Sequence, residues 1–129
     1  MTDLLLIRHG RTFWNSEGRF QGQLNSDLNE IGQVQVASLG TRFEGQVLDH
    51  VFSSDLGRAW QTAEALTKSH ALEIQADASL RERGMGVFEG LTQPEIQASH
   101  PEAWKSFLDR EPSCSIPGGE SINDVLSRS

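Results

Sequence analysis

The chain has 129 residues, a net charge of −7 at neutral pH, an isoelectric point near 5.0 and a mean hydropathy of −0.42. This length fits one domain with a core of its own, and the balance of apolar and charged residues is that of a globular chain. The acidic balance argues against nucleic acid or an anionic membrane as the main partner. The single cysteine, Cys114, excludes a disulfide within the chain, and no apolar run reaches the ~20 residues that a membrane span needs. We therefore expect a cytoplasmic protein.

Strand-like and helix-like patterns alternate along the first part of the chain. The apolar runs and helical periodicities predict, in order, a strand at 3–8, a helix at 30–45, a strand at 50–53, a helix at 54–69 and a strand at 71–75. Asn29 is a favourable N-cap for the first helix, and Ser54 or Asp55 for the second. This alternation predicts an α/β fold with a parallel sheet.

Two short helices are predicted between residues 91 and 110. They are interrupted at His100-Pro101, because a residue before proline is pushed out of the helical region.

A further helix is predicted to open at Ile122. Ser121 is a good N-cap, and Asp124 three residues later completes a variant of the capping box. The helix has a start signal and no stop signal before Ser129, so we expect a single domain over residues 1–129 that is incomplete at its C-terminus. The alternative is a frayed terminal helix that docks on the domain.

The tripeptide Arg8-His9-Gly10 ends the first predicted strand and is the clearest chemical signal. Strands of parallel sheets end at the edge where ligands bind, and a glycine there lets the backbone approach a ligand closely. Arg8 offers a planar fork to a phosphate. Asn15, a few residues later, can donate to a phosphate oxygen or orient the imidazole.

Three further clusters carry possible chemistry. The Gln21-Gly22 turn offers an amide and a backbone N–H to the same oxyanion. Arg58 lies in the first turn of the second long helix, where free N–H groups and the helix dipole favour an anion. Glu82 can act as a proton donor if burial raises its pKa. Taken alone, the residues of each cluster more often have a structural role than a functional one. All four clusters lie at predicted strand or helix ends, however, and together they favour a phosphate site.

Five segments, in this order and spacing, resemble the histidine phosphatase superfamily in its phosphoglycerate-mutase-like branch: LLLIRHGRTFWN, RFQGQLNSDLNEIG, FSSDLGRAWQTAE, LRERGMGVFEG and PGGES. The resemblance implies a three-layer α/β/α fold with a mostly parallel sheet. It also implies that His9 is the nucleophile that becomes phosphorylated and that Glu82 is the proton donor. The implied substrate is a small phosphorylated metabolite.

The resemblance further implies that Arg8, Asn15 and Arg58 hold the phosphoryl group and that Gln21 and Gly22 line the same pocket. Phosphoryl transfer depends on positioning and on positive charge around the phosphate oxygens. Because the arginines supply that charge, we expect no metal and no cofactor.

One feature of the family is missing. Its members carry a second catalytic histidine followed by glycine at the end of a later strand, whereas the only His-Gly here is His9-Gly10. We therefore expect the last strands of the sheet to be missing, which leaves open whether this chain is itself active.

Three functions remain open. After the glutamate, Arg83, Gly84 and Met85 stand where the family's glycolytic mutases have a His-Tyr pair, so a phosphatase is favoured over a mutase (an isomerase). An inactive or non-catalytic phosphate-binding protein is the alternative of another class. The substrate itself is not predicted, because Trp104 and Phe107 are read equally well as core residues or as substrate contacts.

Overall fold

The computed structural model describes all residues from Met1 to Ser129. Its helices and strands are, in chain order, α1 (Phe13–Glu17), α2 (Glu30–Phe43), β1 (Val51–Ser53), α3 (Gly57–Thr67), β2 (Ile74–Ala76), α4 (Gln93–Ser99), α5 (Pro101–Leu108) and α6 (Ile122–Arg128). Single turns of 3₁₀ helix lie at Ala78–Leu80 and Gly86–Phe88. None of the helices combines the length and the apolar character that crossing a membrane requires.

The two strands form a parallel pair joined through α3. Val51 lies opposite Ile74, and Ser53 lies opposite Ala76. Helix α3 packs on both strands, and α2 packs against α3. This arrangement confirms the predicted α/β class and the parallel pairing, although β2 begins at Ile74 rather than at residue 71.

The strand predicted over residues 3–8 is absent, and that prediction is wrong for this chain. Residues 1–11 form neither helix nor strand, and Leu4 and Leu6 are 79% and 88% exposed. An apolar run becomes a buried strand only where neighbouring strands pair with its backbone. In this chain β1 is hydrogen-bonded to β2 alone, so Leu4 and Leu6 have no sheet to enter.

Local capping signals are confirmed where both partners lie close in sequence. The Asn29 side chain accepts a hydrogen bond from the backbone N–H of Gly32 at 2.9 Å and begins α2. The chain leaves the helical region at His100, between α4 and α5. Ser121 and Asp124 form the predicted capping box at the start of α6.

The start of α3 differs from the prediction. Its N-cap is Leu56, not Ser54 or Asp55, and the cap makes no side-chain hydrogen bond to the helix. Instead Asn25, from an earlier loop, accepts from the backbone N–H of Arg58 at 3.1 Å. The helix is therefore capped by a residue 33 positions away, which no local pattern indicates.

Four aromatic rings, those of Phe20, Phe88, Trp104 and Phe107, form the centre of the core with ring centroids 5.4–6.1 Å apart. Edge-to-face contacts of this kind stabilise a core beyond the area that they bury. Trp104 and Phe107 thus pack in the aromatic core of this chain. The cluster holds the segment from Met85 to Leu91, which directly follows Glu82 and its neighbours.

Candidate active site

His9 is half-buried, and its ring is oriented by the main chain. Its Nδ1 lies 2.7 Å from the carbonyl oxygen of Gly10. A carbonyl only accepts, so Nδ1 carries the proton and the lone pair of Nε2 is free. Burial lowers the pKa of His9, and the charges of Arg58 and Arg8 lower it further, against opposing effects of the Gly10 hydrogen bond and of Glu82. The lowered pKa favours the neutral imidazole, whose unprotonated nitrogen is then Nε2.

Arg58 is a buried cation, only 2% exposed. Its Nη1 and Nη2 donate to the carbonyl oxygens of Leu24 and Gly22, each at 2.7 Å. A guanidinium has five N–H donors, so three of them have no protein partner. Burial lowers the pKa of Arg58, while the charges of Glu82 and Glu89 raise it. Its own charge also lowers the pKa of His9.

Gly10 joins His9 to the helix that carries Arg58. The backbone N–H of Gly10 donates to Thr62 Oγ1 at 3.1 Å, and that hydroxyl donates to the carbonyl of Arg58 at 2.8 Å. A Cβ at Gly10 would lie 2.9 Å from the carbonyl oxygen of Gly32, so only glycine allows this close approach. Thr62 was not among the predicted site residues; its place one turn after Arg58 is the only sequence signal that could have indicated it.

Asn15 and Gln21 belong to one hydrogen-bonded chain through Thr12. The Thr12 backbone N–H donates to Asn15 Oδ1 at 3.1 Å, and the Thr12 hydroxyl donates to Gln21 Oε1 at 2.8 Å. Thr12 caps α1 and is fully buried. Both amide oxygens are thus used within the protein, whereas neither amide nitrogen has a hydrogen-bond partner. The free NH₂ groups are the ends that can donate to an anion.

Gly22 and Glu89 hold the loop beside Arg58. Gly22 has a φ of +52°, in the left-handed region, and a Cβ there would collide with Glu89. Glu89 Oε1 accepts from the backbone N–H groups of Gln23 and Met85, both at 2.9 Å. Glu89, which sequence reasoning missed, therefore ties this loop to the segment that follows Glu82.

Glu82 lies in the same region, since its charge acts on both His9 and Arg58. Its Oε1 accepts from the backbone N–H of Arg83 at 2.8 Å. Its carbonyl accepts from Gln23 and Arg128, both at 3.2 Å. The side chain is exposed, so the burial that sequence reasoning required for an acid role is not present in this chain.

Two groups were predicted to bind phosphate, the Arg8 side chain and the N-terminus of α3, and only the Arg8 side chain is free to do so. Arg8 is exposed, makes no hydrogen bond to the protein, and lies with His9 on an open cleft beside α2 and α3. The first turn of α3 is not the free N–H cradle that the sequence predicted, because Asn25 occupies the N–H of Arg58. Positive charge at this site therefore comes from side chains more than from the helix terminus.

The other three histidines lie outside this site. His50 is exposed beside Phe52, His70 contacts the carbonyl of Gln46 at 3.0 Å, and His100 ends α4. None of them acts on the pKa of His9. No group of three histidine, cysteine or acidic side chains is arranged to hold a metal ion.

Comparison with characterised families gives a match over nearly the whole chain. The model of the histidine phosphatase superfamily (branch 1) matches residues 4–129. In Arabidopsis thaliana, phosphoglycerate mutase-like protein 4 is 39% identical and matches 98% of this chain, and the metal-independent phosphoserine phosphatase is 39% identical and matches all of it. In both cases the chain spans 56% of the relative's length.

Solved structures show the same relationship. The mycobacterial glucosyl-3-phosphoglycerate phosphatase superposes with a TM-score of 0.81 and 38% identity, over 94% of this chain and 60% of the other. The alpha-ribazole phosphatase of Shigella flexneri gives a TM-score of 0.88 and 26% identity, over 95% and 60% of the two chains. With fold, sequence and family model in agreement, the chain belongs to branch 1 of the histidine phosphatase superfamily.

Proposed function

We propose that the protein is a phosphomonoester phosphatase that works through a phosphohistidine on His9 and needs no metal. The observation that carries the proposal is the buried guanidinium of Arg58 acting on a neutral, oriented imidazole. The name of the metal-independent phosphoserine phosphatase supports metal independence. The proposed substrate is a small phosphorylated metabolite. We also propose a cytoplasmic location, and the acidic charge of the chain argues against a nucleic-acid partner.

In the first proposed step, the lone pair of His9 Nε2 attacks phosphorus in line with the leaving alcohol. The N–P bond forms as the P–O bond breaks, and Glu82 gives a proton to the departing oxygen. Arg58 and Arg8 hold the phosphoryl oxygens, with the free amide nitrogens of Asn15 and Gln21 as further donors. Such charge-assisted contacts are the main requirement of phosphoryl transfer.

In the second proposed step, water attacks the phosphohistidine. Glu82, now a carboxylate, takes a proton from the water, and the N–P bond breaks to return His9 and release inorganic phosphate. The proton that Glu82 gave to the alcohol in the first step is thereby recovered.

Mutase-type phosphoryl transfer is the second candidate, because one similar relative is named phosphoglycerate mutase-like. A mutase must hold the dephosphorylated intermediate while the phosphoryl group waits on histidine. The segment after Glu82 favours the phosphatase. Arg83 is engaged with the carbonyls of Glu120 and Cys114, at 2.6 and 3.0 Å, so its guanidinium is held away from a substrate.

A non-catalytic phosphate-binding role is favoured by one observation, the exposure of Glu82. Phosphate binding needs the arginines and His9, whereas turnover also needs a proton donor. The two roles separate experimentally, since a binding protein would retain phosphate without forming a covalent intermediate.

The first prediction concerns the nucleophile. When the full-length protein is mixed with a phosphomonoester and quenched rapidly, acid-labile phosphate should appear on His9, because its Nε2 is unprotonated and free. Mass spectrometry at alkaline pH locates the phosphate. His9→Ala should abolish labelling, and His70→Ala, at a surface position, should not. Label on another residue with His9→Ala still active would exclude the mechanism.

The second prediction concerns the buried cation. Arg58→Ala should lower substrate affinity and turnover together, because the guanidinium contacts the phosphoryl group in both the ground and transition states. Charge-assisted contacts are worth about 1.5–3 kcal/mol, which corresponds to a loss of about 10- to 100-fold. Arg42→Ala on the exposed face of α2 is the matched control. Steady-state kinetics unchanged in Arg58→Ala would show that the guanidinium does not contact the substrate.

The third prediction concerns the proton donor. Glu82→Gln should slow the hydrolysis of alkyl phosphates far more than that of p-nitrophenyl phosphate, because nitrophenolate leaves without a proton. Glu64→Gln, an exposed acid on α3, is the control. Equal slowing of both substrates would assign Glu82 a structural or electrostatic role.

A further inference from the structure

We infer that Thr62 is a positioning residue that fixes the main chain of the nucleophile against the helix carrying Arg58. The inference rests on the proposed function, because it concerns the step in which His9 attacks phosphorus. It rests on a hydrogen bond between Gly10 and Thr62, which lie 52 residues apart in the sequence.

The Thr62 hydroxyl has a partner on each side. It accepts the Gly10 backbone N–H at 3.1 Å and donates to the carbonyl of Arg58 at 2.8 Å. Thr62 is 4% exposed and Gly10 is buried, so no solvent competes for these groups. A buried N–H that loses its acceptor costs free energy, and the chain moves to recover a partner.

The position of Gly10 decides the position of the imidazole. The Gly10 carbonyl accepts from His9 Nδ1, and a shift of this residue would therefore rotate the ring. Residues 1–9 lie in no helix or strand, so no sheet ladder holds the nucleophile from the other side. Thr62 is thus the hydrogen-bonded contact between the main chain of the nucleophile segment and α3, whereas the next residue, Arg11, is held by Asn29 and Gln35.

The position of the Arg58 guanidinium depends less on Thr62 than the position of His9 does. Arg58 is held through its own hydrogen bonds to the carbonyls of Gly22 and Leu24 and through Asn25. Loss of the Thr62 hydroxyl should therefore leave the phosphate-binding guanidinium in place and displace the nucleophile. The expected signature is a fall in kcat with little change in KM, compared at an equal folded fraction of each variant.

Helix α3 offers a matched control in Thr67. It is also buried, and its hydroxyl donates to the carbonyl four residues earlier, that of Ala63, at 2.9 Å. Its hydroxyl accepts nothing from the nucleophile segment. Thr62→Val and Thr67→Val thus remove the same helix contact, and only the first removes an acceptor for Gly10.

The test compares Thr62→Val, Thr62→Ala, Thr62→Ser and Thr67→Val in the full-length protein. In a single turnover with p-nitrophenyl phosphate, Thr62→Val and Thr62→Ala should phosphorylate His9 at least about tenfold more slowly, since misplacing a reacting group by about 1 Å costs up to 10²-fold. KM should change by less than about threefold. Thr62→Ser should restore the rate, and Thr67→Val should leave it unchanged. Alanine provides a second hydroxyl-free variant if valine prevents folding.

A second readout is independent of catalysis. Amide hydrogen exchange at Gly10, followed by NMR, should be faster in Thr62→Val and Thr62→Ala than in Thr67→Val. Equal exchange in all variants, or equal rate losses in Thr62→Val and Thr67→Val, would overturn the inference. If the unmodified protein forms no phosphohistidine, the proposed function fails, whereas the exchange result still decides whether Thr62 holds Gly10.

Discussion

The burial of the Arg58 guanidinium is the interaction on which the rest of the site depends. Taking a cation out of water is costly unless it is paired or fully hydrogen-bonded, and its protein partners here are the main-chain carbonyls of Gly22 and Leu24. No carboxylate forms an ion pair with it, so the charge is held by oriented dipoles and keeps unused donors. That is the arrangement expected of a group that receives an anion. It also ties the loop containing Gly22 to α3.

Most of the features that could be predicted are those in which both partners lie within a few residues, such as the caps at Asn29 and Ser121 and the break at His100. The parallel pairing of β1 with β2 joins more distant residues, and it follows from the alternation of strand and helix patterns along the chain. The first strand could not be predicted correctly, because a run of four apolar residues indicates burial but does not show whether neighbouring strands are present to pair with it. The prediction of the α3 cap was wrong for a related reason. The capping residue, Asn25, lies in an earlier loop, and no local sequence pattern links that loop to the helix.

For the site, the sequence motifs predicted which regions contribute, but they did not show which hydrogen bonds each residue makes. The motif around His9 predicted an anion site, and the structure adds the Nδ1 contact that leaves Nε2 as the unprotonated nitrogen. Asn15 and Gln21 were predicted as direct phosphate ligands, yet their oxygens are used by Thr12. Thr62 was missed because its contact with Gly10 exists only after α3 packs. The acid role of Glu82 was predicted on the condition that burial raises its pKa, and the side chain is exposed in this chain.

The proposed mechanism requires a neutral His9 that carries its proton on Nδ1 and is influenced by the charge of Arg58. An NMR titration of the ¹⁵N-labelled imidazole in the full-length protein, without phosphate, tests this most directly. Burial, reinforced by Arg58 and Arg8, should place the pKa of His9 below its ordinary value of 6.5, so that the neutral form persists as the pH falls through that value. The nitrogen shifts should show Nδ1–H and an unprotonated Nε2. A pKa above 6.5 or an Nε2–H tautomer would contradict the account.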